Sequence, residues 1–398
     1  MFDRFPEPVA DPLHAVMAAF RADPRPHRID LGVGVYRDET GHSPIMKAVK
    51  AAEEALLGAE DSKAYQAIHG DDRFIAEMTR LILGDDHPAV REGRVAAIQG
   101  TGGTGALRVA LEATRTANPE ATFHLGLPSW PNHSALAAAA EVRQHSHRYF
   151  EVERQALDMD SIFAALETVV AGDLFLLHGP CHNPTGADLS DSQRSEILET
   201  LRSRGAIPII DAAYYGLGSG LAADLEVLRE AVAASERAFL AAACSKTFGL
   251  YRERTGILFV ICASSAERTR VQGEIERTSR TLVSMPPAHG AGTVARILSD
   301  PDLKAQWADE LAAMRHRIVG LREELASHTE AVPMLRGIEK QHGIFRMLPL
   351  AAKQTVALGR DHAIHMPQSG RINIAGLKAG DAERLAAALA AVTASPLT

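Results

Sequence analysis

A lysine stands just past the apolar run "AFLAAAC", at position 246, with Ser245 before it and Arg254 eight residues on. A lone lysine is normally a solvated surface charge. One at the end of a buried strand is a candidate amine for condensation with a carbonyl. A second apolar run, "AIPIID", ends in Asp211, and Tyr214 follows three residues later. A carboxylate there can cap a helix, or it can pair with a cationic ring nitrogen. The run "DLFLLHG" leads into "PCHNPTG", a turn that sets the amide of Asn183 at a strand end. His178, Cys181 and His182 invite a metal reading. Pro180 and Pro184 prevent the helix that would align the two histidines, and no further ligand set is evident. No metal site is read from the sequence.

The loop "GTGGTGA", residues 100–106, follows the apolar run "RVAAIQ" and satisfies G-x-G-x-x-G through Gly100, Gly102 and Gly105. One reading is an NAD-dependent oxidoreductase that uses this loop. That fingerprint needs an acidic residue about 20 positions on, at the end of the next strand. The next strand, "ATFHLGL", ends in Leu127-Pro128-Ser129-Trp130, with no carboxylate. A ligand-free tight turn is a second reading. The third is a phosphate cradle, in which Gly103 and Thr104 offer backbone N–H groups, a hydroxyl and the positive end of a helix. Pyridoxal 5'-phosphate needs all the groups collected so far. Lys246 suits its aldehyde and Asp211 its ring nitrogen. Asn183 and Tyr214 suit its phenolate oxygen, Trp130 its ring face, and the glycine loop its phosphate.

These residues must be carried by a scaffold. From about residue 95 to 261 apolar runs alternate with helical patterns, which indicates an α/β domain with a mostly parallel sheet. Ligands of such sheets bind beyond the carboxyl ends of the strands. After about residue 300 come one long amphipathic helix, 303–329, the short strand candidates "GIFRMLPL", "HAIHMP" and "RINIAG", and a closing helix. The division expected is an N-terminal arm over 1–14, a small α+β domain from 15–42 and 311–398, and a large cofactor-binding domain over 43–310. The strand expected before residue 42 is "RIDLGVGVY". The chain has 398 residues, 46% hydrophobic and 23% charged, with a formal net charge of −8. That balance argues against nucleic acid or an anionic membrane as the main partner. No apolar run reaches the roughly 18 residues of a membrane helix. The Pro-rich start does not read as a signal peptide, and three cysteines in so long a chain point to a reducing cytoplasm.

The sequence resembles the class I pyridoxal-phosphate aminotransferases, in the branch of the bacterial aspartate and aromatic amino acid enzymes. The likeness runs from "DPLHAVMAAFRADPRPHRIDLGVGVYRDETG" to "SGRINIAG" and is densest in "GGTGALRV", "PSWPNH", "HNPTGADL", "SKTFGLYRER" and "PPAHGA". It implies the pyridoxal-phosphate-dependent transferase fold type I. It also implies transamination between an amino acid and a 2-oxo acid, 2-oxoglutarate included, in a homodimer with shared active sites. By similarity, Lys246 holds the cofactor and carries the proton. Asp211 pairs with the ring nitrogen, with His133 and His178 behind it. Gly103, Thr104, Ser245 and Arg254 hold the phosphate, joined by Tyr65 of the other subunit. Arg371 takes the substrate α-carboxylate, and Arg280 of the other subunit takes a side-chain carboxylate. Gly34 lends a backbone contact, Phe345 lines the pocket, and Trp130 and Asn183 also face substrate.

The sequence also departs from the family. Ala243 stands where a phosphate-binding serine is frequent, and the segment 346–367 diverges. Leu282, Val283 and Met285 follow Arg280 where aspartate-specific members are more polar. Aspartate and aromatic amino acids both remain as expected donors.

Overall fold

The computed structural model describes residues 2–5 and 12–394. The chain divides into two compact units. The larger comprises Pro44–Arg317 and Gln341–Gly343; the smaller comprises Met1–Ser43, Ile318–Lys340 and Ile344–Thr398. These limits differ from those expected. The second boundary falls at 317/318 instead of 310/311, within the unbroken helix Pro301–Ala326. Residues 341–343 go with the larger unit because His342 donates its N–H to the Gly186 carbonyl and its ring meets Asp188 at 3.1 Å. Of the expected extended arm, residues 1 and 6–11 lie outside the described residues. Phe2–Arg4 form a 3-10 turn, and a helix begins at Pro12.

The larger unit is built on a seven-stranded sheet. Its strands are β1 (Val95–Thr101), β2 (Thr122–Leu127), β3 (Arg143–Arg148), β4 (Leu174–His178), β5 (Ile207–Ala212), β6 (Ala238–Ala243) and β7 (Thr255–Ile261). They lie in the order β1-β7-β6-β5-β4-β2-β3. All neighbours are parallel except β7, which runs antiparallel to both β1 and β6. The central strands are mostly apolar because parallel strands are covered on both faces. Every residue of β6 and β7 is buried. Small alanines at 106, 110, 113 and 241 bring the helix Gly102–Ala117 close to the sheet. The register places His178 beside Asp211, so two site residues reach one strand end together. The sequence reading lacked β3, "RQHSHR". It is an exposed polar edge strand without apolar alternation, and its polarity protects the open edge.

The smaller unit has its own core, including Ile29, Leu31, Leu325, Leu335, Leu358, Ile372, Leu385 and Leu389. Its expected first strand is cut to Ile29–Asp30. The cause is local: the Asp30 carboxylate accepts the Gly32 N–H at 2.9 Å, and Val35 N donates to Val33 O at 2.9 Å. Both bonds turn the chain out of extension.

Imidazoles pack behind β4, with His182 buried and His147 and His178 half-buried. The rings of Tyr149 and His182 stack at 4.1 Å, and His182 lies 3.9 Å from His178. His147 stacks on Phe175 at 5.2 Å. Burial pushes His178 down to about 3, with the neighbouring His133 charge adding to the effect. It pushes His147 down to about 4 and His182 well below its ordinary value. Each group therefore stays neutral in the fold where the unfolded chain would bind a proton. A depressed folded-state value gives stability that is complete above the unfolded value, about 6.5, and is lost as pH falls toward the folded one. Between pH 7 and 5.5 unfolding should come to take up about three protons from this group alone. Urea unfolding should show a lower midpoint at pH 5.5, and His147→Phe should lessen the difference. Equal stability at the two pH values would contradict the burial of neutral histidines.

Candidate active site

Asp211 ends β5 as a buried carboxylate. Burial alone would raise its pKa. The hydrogen bond and charge of His133 and the charge of Lys246 outweigh that, and the net effect holds Asp211 below the usual carboxylate range. His133 Nε2 lies 3.0 Å from Asp211 Oδ2. Ser129 Oγ bridges the next gap, 2.8 Å from His133 Nδ1 and 3.1 Å from His178 Nε2. The carboxylate is thus ionised and aimed by a line of three side chains from two other strand ends. Sequence reasoning missed Ser129. Its only signal was its place before Trp130 in "PSWPNH". The Trp130 indole stands edge-on to His133 at 5.2 Å.

Lys246 sits on the short helix Cys244–Thr247 that follows β6. Two bonds fix this turn: Thr247 Oγ1 donates to Tyr215 O at 2.9 Å, and buried Trp307 donates its indole N–H to Thr247 O at 2.9 Å. The Lys246 ammonium lies 5.0 Å from the centre of the Tyr214 ring. Tyr214 belongs to the loop after β5. That loop is pinned by Asp224, which accepts N–H bonds from Gly216, Gly218 and Ser219 at 2.7–2.9 Å. Asn183 follows β4. The Asp188 carboxylate holds its turn by accepting from Cys181 N and His182 N at 3.0 and 2.8 Å. The Asn183 side chain is buried, and its Oδ1 meets no hydrogen-bond partner among the described residues.

The glycine loop is the N-terminus of the helix Gly102–Ala117. Its N-cap, Thr101, makes no side-chain capping bond, so the first N–H groups are left for another acceptor. Gly102 takes φ +68°, and a Cβ there would stand 2.6 Å from the Arg254 guanidinium. A cation at the positive end of a helix is unfavourable unless an anion lies with it. Ser245 is buried beside this end of the sheet, and the Ala243 Cβ lies 3.2 Å from where Gly103 would carry one. A phosphate monoester suits the N–H groups, Thr104, Ser245 and Arg254. The N–H of the Asn183 side-chain amide suits a phenolate, and the ionised Asp211 carboxylate suits a ring N–H. The residues therefore fit pyridoxal phosphate.

Three expected residues lie in the smaller unit. Arg371 donates to Gly32 O at 2.7 Å, and its guanidinium carbon lies 4.4 Å from the Phe345 ring centre. Gly34 leaves room for that ring, since a Cβ would lie 2.6 Å from Phe345 Cζ. Tyr65 and Arg280 are not joined to the others. Tyr65 is 93% exposed, and Arg280 is exposed near the end of the helix Ser265–Val283. Neither side chain makes a hydrogen bond or ion pair among the described residues.

Residues 26–389 match the family model "Aminotransferase class I and II". A tyrosine aminotransferase of Rhizobium meliloti is 44% identical, over 97% of this chain and 98% of its own. An aspartate aminotransferase of Escherichia coli is 36% identical, over 98% of this chain and all of its own. The crystal structure of an aromatic-amino-acid aminotransferase from Burkholderia pseudomallei, covalently bound to pyridoxal phosphate, superposes with a TM-score of 0.95. It is 37% identical and covers 98% of this chain and 99% of that one. These matches set aside the dinucleotide reading of the glycine loop. The missing ribose-binding carboxylate after β2 is the physical counterpart. The chain belongs to the class I and II aminotransferases, has their fold type I architecture and uses pyridoxal phosphate as its cofactor.

Proposed function

We propose that this aminotransferase prefers aromatic amino acids as donors and 2-oxoglutarate as acceptor, and that it works as a cytoplasmic homodimer. The observation that carries the donor preference is the surface at the end of the helix Ser265–Val283. There Leu282 and Val283 lie exposed beside Arg280. The apolar side chains offer an aromatic ring a contact that aspartate cannot use, while the guanidinium beside them serves the dicarboxylate acceptor. The greater identity to the tyrosine enzyme, 44% against 36% for the aspartate enzyme, supports the same choice. Exposed Tyr65, Leu57 and Ile45, with the unpartnered Arg280, support a second copy that completes each site. The three cysteines are buried and form no disulfide, which suits a reducing compartment. No helix of the described residues is long and apolar enough to cross a membrane.

When bound, the cofactor supplies an aldehyde for the amino group and a ring that accepts electrons from the substrate α-carbon. The chain does the rest. Gly103, Thr104, Ser245 and Arg254, with Tyr65 of a second copy, anchor the phosphate, and Trp130 covers the ring. Asp211 keeps the ring nitrogen protonated by charge pairing. Asn183 and Tyr214 donate to the phenolate oxygen. Lys246 holds the cofactor while the site is empty and, once released, is a base placed to move the α-proton. Arg371 takes the α-carboxylate with its planar fork, Gly34 adds a backbone contact, and Phe345 supports the arginine. Arg280 of the second copy takes the distal carboxylate of the acceptor.

In the wild type, kcat/KM for phenylalanine and tyrosine should exceed that for aspartate. Arg280→Leu should cost dicarboxylates about two to four decades in kcat/KM, because their second charge would be desolvated and unpaired. Phenylalanine should be retained or favoured. Mixing Arg280→Leu with Lys246→Ala subunits should restore dicarboxylate activity, since one site of each heterodimer is then complete. Equal losses for both substrate classes, or no restoration after demonstrated subunit exchange, would refute the assignment.

A further inference from the structure

The smaller unit holds its substrate-facing arginine through a chain of linked contacts. Arg371 and Asn373 are two residues apart on the strand Arg371–Asn373, so their side chains share a face. That strand pairs antiparallel with Phe345–Met347, Phe345 opposite Asn373. Two neighbours locate the Arg371 guanidinium: the Gly32 carbonyl at 2.7 Å and the Phe345 ring at 4.4 Å. Each of these neighbours is held in turn. The buried Asn373 amide donates to Val33 O at 2.6 Å and to Val35 O at 2.8 Å, so it grips the loop on both sides of Gly34. Arg322, 2% exposed, donates to Ile338 O at 3.0 Å and to Phe345 O at 2.8 Å. One guanidinium thereby ties the backbone of the pocket phenylalanine to the 3-10 turn Ile338–Lys340. The loop and the ring also meet each other, because Gly34 has no Cβ to keep Phe345 away.

We propose that Arg322 and Asn373 are positioning residues for recognition of the substrate carboxylate. They hold Phe345 and the 32–35 loop where these two fix the fork of Arg371. This rests on the reading of Arg371 given above. Two parallel N–H···O bonds to a carboxylate need the guanidinium plane in one orientation. A free arginine loses much rotamer freedom on reaching that orientation, and a pre-placed one loses little. A displacement near 1 Å at a recognition group can cost about a hundredfold. Arginine suits position 322 because its planar fork reaches two carbonyls at once. A lysine ammonium is a compact point charge on a flexible stem and is expected to keep only one of them.

The test uses the cofactor-loaded enzyme and 3-phenylpropionate, a monocarboxylate that has no amino group and cannot react. Its dissociation constant is measured by calorimetry for the wild type, Arg322→Met, Arg322→Lys and Asn373→Ser, with Arg371→Leu as reference. The constant should rise about 10- to 100-fold in Arg322→Met and Asn373→Ser, and less in Arg322→Lys. KM for phenylalanine should rise in parallel, kcat should stay within about threefold, and cofactor retention on dilution should not change. A merely structural role would lower kcat and cofactor retention together. That pattern, constants within about twofold of wild type, or failure of all three variants to fold would overturn the proposal. If Arg371→Leu itself binds 3-phenylpropionate normally, the reading of Arg371 fails instead.

Discussion

The larger unit is organised around one buried charge. A carboxylate taken out of water is costly, and an isolated one would bind a proton and lose its charge. Asp211 stays ionised because His133 bonds it directly and the charge of Lys246 lies nearby. Ser129 then fixes the orientation of His133 and ties it to His178. This line crosses the sheet, from β5 to the segment after β2 and on to β4. It works only in the register that sets His178 beside Asp211. A slip of one residue would turn the whole set to the opposite face.

The groups around Asp211 repeat one device, a candidate site side chain on a short turn whose backbone is bonded from behind. Thr247 and Trp307 do this for Lys246. Asp224 does it for the loop of Tyr214, and Asp188 for the turn of Asn183. In the smaller unit Asn373 and Arg322 stand in the same relation to Gly34 and Phe345. Such supports cost buried polar groups, but they place the working atoms without relying on flexible loops.

The candidate site residues were legible in the sequence because they stand at the ends of apolar runs, where a parallel sheet exposes its ligand-binding edge. Lys246 and Asp211 are clear examples, and six of the seven strands follow from the same alternation. The supports were less legible. Arg322 lies within a long helix whose charged residues look like a solvated face, and only the packed smaller unit reveals it as buried. Asn373 was visible within "SGRINIAG", but its bonds run to a loop more than three hundred residues earlier. Edge strand β3 was missed because it carries no apolar face. "RIDLGVGVY" was overextended because a side chain, Asp30, ends the strand by taking the Gly32 N–H. Hydrophobic periodicity reads neither a side-chain bond to the backbone, near or distant in sequence, nor a strand without an apolar face.

The central claim is that Asp211 governs the protonation of the cofactor ring nitrogen. It is tested most directly by ¹⁵N NMR of the enzyme loaded with ring-labelled pyridoxal phosphate, wild type against Asp211→Asn. The wild-type nitrogen should carry a proton from about pH 6 to 8, because an ionised carboxylate faces it. In the variant a neutral amide replaces the charge. The nitrogen should then lose its proton within that range, and α-proton abstraction from phenylalanine should slow by several orders of magnitude. A ring nitrogen that stays protonated in Asp211→Asn, with abstraction at the wild-type rate, would contradict the account.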